Sequence, residues 1–244
     1  MANGFDPRVT ASPHSATTAG EGVAVDAGLR SHMLSVYNYM ASGVLLTGVV
    51  AFAAALTGVA QQIFFGAGIL RYVVLFAPLI MVFFLAARVN RMSTAGLQAF
   101  YWSFATVMGL SMSLIPLIYD GTSIATTFFA TSAAFVSLSL WGYTTKKDLS
   151  GFGTFLLMGL IGLIVAMVGN LFLRSSTLDL AISAIGVLIF AGLTAYDTQK
   201  IKSIYFEVAG TDFLGKAAIL GALNLYLDFI NMFQFLLSFL GNRD

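Results

Sequence analysis

Cysteine is absent from the chain, which excludes a disulfide framework, a thiolate nucleophile, cysteine-ligated zinc and iron–sulfur clusters. Charge is scarce: 9% of residues are Asp, Glu, Lys or Arg, against about 25% in a soluble domain. The formal net charge of +1 leaves no electrostatic footprint for nucleic acid. The two histidines, His14 and His32, precede the first hydrophobic run, where a polar tail is expected and a metal site is not. The stretch around Gly66 and Gly68 lacks Walker or dinucleotide spacing and reads as a loop. No internal repeat supports an inverted-repeat transporter.

What the chain has is apolar surface. Hydrophobic residues make up 58% of its 244 positions and the mean hydropathy is +0.88, the composition of an integral membrane protein. That length holds about seven spans of roughly 20 residues with short loops. It leaves no room for a soluble catalytic domain, and an enzyme is not expected. Residues 1–28, rich in Ala, Gly, Ser and Thr, read as a disordered polar tail before a transmembrane domain at 29–244. A secretory signal is not expected, because the first apolar run begins near Met33 and is too long.

The hydrophobic runs predict an all-α protein with helices at about 33–58, 70–88, 94–119, 123–144, 152–173, 178–206 and 213–240. Asp120 with Gly121 marks a tight turn, and Lys146, Lys147 and Asp148 mark another break. With the N-terminus inside, Arg8, Arg30, Arg88, Arg91, Lys146, Lys147, Lys200, Lys202 and Lys216 fall on inner segments, while Arg71, Arg174 and Arg243 fall on outer ones. That bias places the N-terminus in the cytoplasm and, with seven spans, the C-terminus outside. Gly43 with Thr47 and Gly162 with Ala166 are small pairs that permit close helix packing. Gln98, Tyr101 and Ser103 on the third helix read as interhelical hydrogen-bonding groups.

Two aspartates stand out because they interrupt apolar runs. Asp197 ends a charge-free run that begins at Leu180, and Asp228 interrupts the run from Ala217 to Asn242. Ionisable groups at membrane depth are expensive and mark functional sites. If the sixth and seventh helices form a hairpin through Ala209, Gly210, Thr211 and Asp212, the midpoint between the aspartates falls at the turn, so both lie at nearly one height. Asn224, Asp228 and Asn231, at i, i+4 and i+7, form a polar stripe that should face protein or water. Carboxylates in contact at low dielectric cannot both ionise cheaply, so one proton is shared. Calcium is the alternative occupant, since hard cations favour carboxylate and amide oxygens, although two carboxylates alone make a weak site. The simpler reading pairs Asp197 with Lys200 or Lys202 and leaves Asp228 to buried hydrogen bonds between helices. Arg88, at the end of the second span, is either a countercharge for Asp197 or a side chain snorkelling to the interface.

The run from Gly192 through Tyr196, Asp197, Thr198 and Gln199 to Lys202, and the run from Leu225 through Asp228 and Asn231 to Phe233, resemble the signature blocks of the Bax inhibitor family. Lys146-Lys147-Asp148-Leu149, followed by the apolar stretch from Phe152 to Leu163, is similar to its bacterial branch. The similarity covers roughly Val36 to Leu240. It implies seven helices, the last one central and surrounded by the other six. It also implies a pH-sensitive calcium leak whose aspartate pair corresponds to Asp197 and Asp228: a shared proton keeps the pore closed, and on deprotonation an arginine of the second helix engages the first aspartate. Arg88 matches that arginine best, with Arg91 as the alternative. Asn224 stands where some animal relatives carry an acid, and the C-terminus at Asn242-Arg243-Asp244 lacks their lysine-rich extension, so suppression of cell death is not carried over.

The leading expectation is therefore a passive, pH-gated cation leak of the bacterial inner membrane, with calcium as permeant ion, no tightly bound cofactor, and the lipid bilayer as its surroundings. A second expectation is a regulator of a membrane-anchored AAA+ protease, with the N-terminal tail as degradation handle. An intramembrane aspartyl protease is disfavoured, because the flanks Tyr196-Asp197-Thr198 and Leu227-Asp228-Phe229 do not supply both sequence contexts of that class.

Overall fold

The computed structural model describes residues 14–66 and 68–242. Its helices are α1 (His14–Leu56), α2 (Val59–Phe65), α3 (Leu70–Arg88), α4 (Thr94–Met112), α5 (Ile115–Ile118), α6 (Gly121–Thr144), α7 (Ser150–Leu173), α8 (Ser176–Val208) and α9 (Leu214–Leu240), with a 3-10 turn at Val89–Arg91. Among the described residues seven segments are long and apolar enough to cross a membrane: Ala27–Leu56, Leu70–Arg91, Thr94–Ile118, Gly121–Thr144, Ser150–Leu173, Ser176–Val208 and Leu214–Leu240. The all-α, seven-span architecture expected from the hydrophobic runs is thus observed. Of the tail assigned to residues 1–28, residues 1–13 lie outside the described residues, and α1 begins at His14.

Polar residues mark the boundaries. The Ser93 hydroxyl accepts the Gly96 amide at 3.1 Å to start α4. Asp120 caps α6, its Oδ2 accepting the Thr122 and Ser123 amides at 3.1 and 3.3 Å. Side-chain oxygens at such positions satisfy donors that the first helical turn leaves unpaired. Between α6 and α7, outside the spans, Asp148 accepts the Ser150 amide at 2.9 Å, and those Ser150 bonds hold its carboxyl below the usual carboxylate range. Gly66 and Gly68 lie in the link between α2 and α3, as expected. The short helix α2 escapes the hydrophobic-run reading because its seven residues cannot cross a bilayer.

The spans form an inner and an outer set. In its most apolar stretch α9 is 61% buried, whereas α3 and α7 are each 11% buried. Direct packing on α9 comes from α8, α1, α6 and α4, while α3 packs chiefly on α4 and α7 on α8. Small residues explain the tightest contact: Ala217, Ala218, Gly221 and Ala222 are buried along α9, and Gly221 faces Ile201 of α8. The outer helices expose Phe76, Ile80 and Phe83 on α3 and Phe155, Ile161 and Val165 on α7, an apolar surface suited to lipid.

Three expectations about individual side chains change. His32 is not in a polar tail: the first span starts at Ala27, and His32 is buried on α1 with its ring 5.5 Å from that of Tyr205 on α8. Gly43 does allow close packing, against the Tyr101 hydroxyl, but Gly162 has open space around it. Close backbone-to-backbone approaches occur instead at Gly142 of α6, where a Cβ would run into the Ala195 carbonyl of α8, and at Gly109 of α4, where it would meet the Thr47 carbonyl of α1. On α4, Tyr101 donates across helices to the Tyr39 carbonyl at 2.7 Å, whereas Ser103 donates to Ala99 of its own helix at 2.8 Å.

Candidate functional site

The α8–α9 hairpin turns through residues 209–213, where Gly210 adopts a φ of 78° that a side chain would disfavour. The Thr211 hydroxyl donates to the Val208 carbonyl at 2.7 Å and closes the end of α8. Equal counting from this turn brings Asp197 of α8 opposite Asp228 of α9, with the two carboxyl groups in hydrogen-bonding reach. Asp228 is 4% exposed, and its Oδ2 meets no protein hydrogen-bond partner. Asp197 is half-buried. Lys200, three residues further along α8, acts on it electrostatically, but its amine lies 5.8 Å from the Tyr196 ring centroid and Lys202 donates to the Tyr143 carbonyl at 3.0 Å. Neither lysine closes an ion pair with Asp197.

The other expected site residues divide. Asn231 is half-buried, and its amide donates to the Leu227 carbonyl at 2.7 Å, one turn back on its own helix. Asn224 is exposed. Leu220, Asn224, Leu227, Asn231, Gln234, Phe235, Leu236 and Ser238 are the residues of α9 from 217 to 238 that are not buried, and at 100° per residue all of them except Leu236 fall on one side of the helix. The polar stripe therefore coincides with the least-enclosed face of α9, with Asp228 at its inner edge. Arg88 ends α3 as an exposed side chain, its guanidinium 6.0 Å from the Phe84 ring. It forms no ion pair with either aspartate. Arg91 is likewise exposed, in the following 3-10 turn. Among the described residues no three His, Cys, Asp or Glu side chains gather as a metal site.

Sequence reasoning missed the supports of this pair. Asp197, Thr198 and Gln199 are consecutive, so successive 100° steps aim them at different neighbours. Asp197 meets α9. The buried Thr198 hydroxyl lies 2.9 Å from that of Ser139 on α6 and donates to the Thr194 carbonyl at 2.8 Å. Gln199 clamps the α6–α7 connection, accepting the Leu149 amide at 2.9 Å and donating to the Lys147 carbonyl at 2.8 Å. On α9, Tyr226 is fully buried with its hydroxyl 2.6 Å from that of Thr47, which also lies 2.9 Å from the Ala105 carbonyl. The run of three polar residues in an apolar helix was the available signal; the Thr47–Tyr226 pairing left none.

The family described as inhibitor of apoptosis-promoting Bax1 matches residues 29–244. An uncharacterized protein of Rickettsia prowazekii (strain Madrid E) is 47% identical over 228 residues, covering 93% of this chain and 96% of its own. An uncharacterized protein of Caulobacter vibrioides is 47% identical over 234 residues, covering 91% and 93%. The inner membrane protein YbhL of Escherichia coli (strain K12) is 42% identical over 219 residues, covering 89% and 94%. With seven apolar spans, an aspartate pair on the last hairpin and these matches along nearly its whole length, the chain belongs to the Bax inhibitor family.

Proposed function

We propose that this protein is a passive, pH-sensitive cation leak of the bacterial inner membrane, with calcium as its cargo and the Asp197–Asp228 pair as its gate. The observation that carries the reading is the approach of two carboxyl groups inside the bundle, one of them with a buried oxygen, Oδ2 of Asp228, that meets no donor. A buried anionic oxygen without a partner is costly, and two adjacent carboxylates at low dielectric repel. One proton held between Asp197 and Asp228 relieves both problems and ties α8 to α9. Loss of that proton makes the closed arrangement unfavourable.

The surroundings support a route for an ion beside the pair. The least-enclosed face of α9 carries Asn224 and Asn231, whose amide oxygens suit a hard cation. Arg88 stands away from the aspartates at the end of α3, a span that is only 11% buried. Its shallow packing makes α3 the inexpensive element to move, and the movement would deliver a guanidinium to Asp197 once that group is charged. A passive leak of this kind requires neither energy coupling nor catalysis. The Escherichia coli relative, an inner membrane protein, supports the bacterial inner membrane as the location, and the distribution of Lys and Arg supports an N-terminus inside.

Calcium flux into proteoliposomes across a pH series tests the reading. Wild-type flux should rise as pH rises through the titration of the pair. Asp197→Asn and Asp228→Asn should flatten that dependence. Flux that is absent, or that keeps its pH profile in both variants, contradicts the proposal.

A further inference from the structure

A groove separates α1 from α6 on the outside of the bundle. Its inner part, of about 950 Å³, begins at Arg30 and is lined by Met33, Tyr37, Val44, Phe135 and Phe229 among others. A second cavity of about 480 Å³ continues it past Val44, Phe128 and Phe229 toward the far end of α1. The floor is stiff: the Phe229 ring meets those of Phe128 and Phe135 edge-on, both at 5.6 Å. The inner part follows α1 from Arg30 to Leu45, about 22 Å at 1.5 Å per residue. That exceeds one leaflet of a hydrocarbon core about 30 Å thick.

The two ends of this groove differ in chemistry. The walls are apolar, and the lining includes one cation, Arg30. Arg30 is exposed, and among the described residues it forms no hydrogen bond or ion pair. A second cation, Lys202 of α8, lies beside a lining residue, its amine 3.0 Å from the Tyr143 carbonyl and 4.9 Å from the centre of the Tyr143 ring, and Tyr143 lines the groove. Basic side chains at one end of an apolar cleft between spans match an anionic headgroup above an acyl chain.

We infer that the α1–α6 groove is a binding site for one anionic phospholipid, with the headgroup phosphate at Arg30 and an acyl chain lying along Phe135 and Phe229. The site is independent of the aspartate gate. The chain fills the cleft that α1 and α6 leave open, and the phosphate pairs with Arg30, which has no ion pair among the described residues.

The test uses the full chain in nanodiscs of equal phosphatidylglycerol and phosphatidylethanolamine, followed by native mass spectrometry of the lipid retained after release. Wild type should retain one phosphatidylglycerol in preference to phosphatidylethanolamine. Arg30→Gln should reduce that preference by about fivefold, the worth of one basic residue at a membrane surface. Ala41→Trp, which fills the groove from its wall, should reduce retention of both lipids. Because the chain is free of cysteine, Ala41→Cys gives a single reactive thiol for crosslinking to a thiol-reactive phosphatidylglycerol in otherwise native protein. Crosslinking that excess phosphatidylglycerol suppresses supports the site. Equal retention of the two lipids by wild type, retention unchanged in both variants, or a disulfide-linked dimer of the Ala41→Cys chain in place of lipid crosslinking overturns it.

Discussion

Asp228 and Asn224 lie one turn apart on α9, yet Asp228 is 4% exposed and Asn224 is on the helix's open side. Only about 40° around the helix axis separates them. The edge of the bundle's enclosure therefore runs between the carboxyl group and the amide. In the proposed gating, a small rotation or separation at the α8–α9 interface carries a charged Asp228 onto the face that Asn224 and Asn231 already occupy.

Arg88 gives the first prediction. In the structure it makes no ion pair with Asp197, so the proposed gating assigns it to the open arrangement and not to the closed one. Arg88→Gln should lower calcium flux at alkaline pH several-fold and leave the acidic flux near its wild-type level. Arg91→Gln should have the smaller effect. Proteoliposome flux at two pH values measures both.

The hydroxyl pair of Thr47 and Tyr226 gives the second. Thr47 ties α1 to α9 through Tyr226 and to α4 through Ala105. Polar contacts between spans are worth about 1 kcal/mol, since the unfolded chain in the membrane also finds partners. A double-mutant cycle of Thr47→Val and Tyr226→Phe, followed by reversible unfolding in mixed micelles, should return a coupling of about 1 kcal/mol. Additive losses would show that the two hydroxyls act separately.

Close packing gives the third. A side chain at Gly142 collides with the Ala195 backbone, two residues before Asp197, whereas Gly162 faces open space. Gly142→Val should cost about 1–3 kcal/mol through forced displacement of α8, and Gly162→Val less than about 0.5 kcal/mol, as at an unobstructed surface. Thermal unfolding of the two variants in the same detergent compares them directly.

The seven spans were legible because each is a run of apolar residues broken by charge, and in a bilayer that pattern leaves few alternatives. The opposition of Asp197 and Asp228 was legible from equal counting on either side of the turn near Asp212. Burial by partners far away in sequence was not. His32 looked like a tail residue because it stands before the apolar run, but the face it shares with Leu29 and Val36 is buried. Gly142 and Gly162 have the same composition-level meaning, and only the neighbouring helix tells them apart. Thr198 and Gln199 were visible beside Asp197, but their partners, Ser139 and the 147–149 connection, come from segments about 50 to 60 residues away.

The N-terminal tail gives the fourth prediction and separates the leak from a role as regulator of a membrane-anchored AAA+ protease. Residues 2–26 precede the first span and the buried α1 residues that begin at Leu29. Their deletion should leave flux and its pH dependence unchanged. A protease role that uses the tail as a handle predicts slower turnover in cells on the same deletion, read by pulse-chase, and loss of flux would place the tail in the conducting unit.

The most direct test is the separation of the Asp197 and Asp228 carboxyl groups in experimental structures solved at acidic and at alkaline pH. Hydrogen-bonding contact is expected at acidic pH, with separated carboxylates and Arg88 drawn toward Asp197 at alkaline pH. A separation beyond about 6 Å at both values, too far for a shared proton, or an unchanged contact at both, would contradict it.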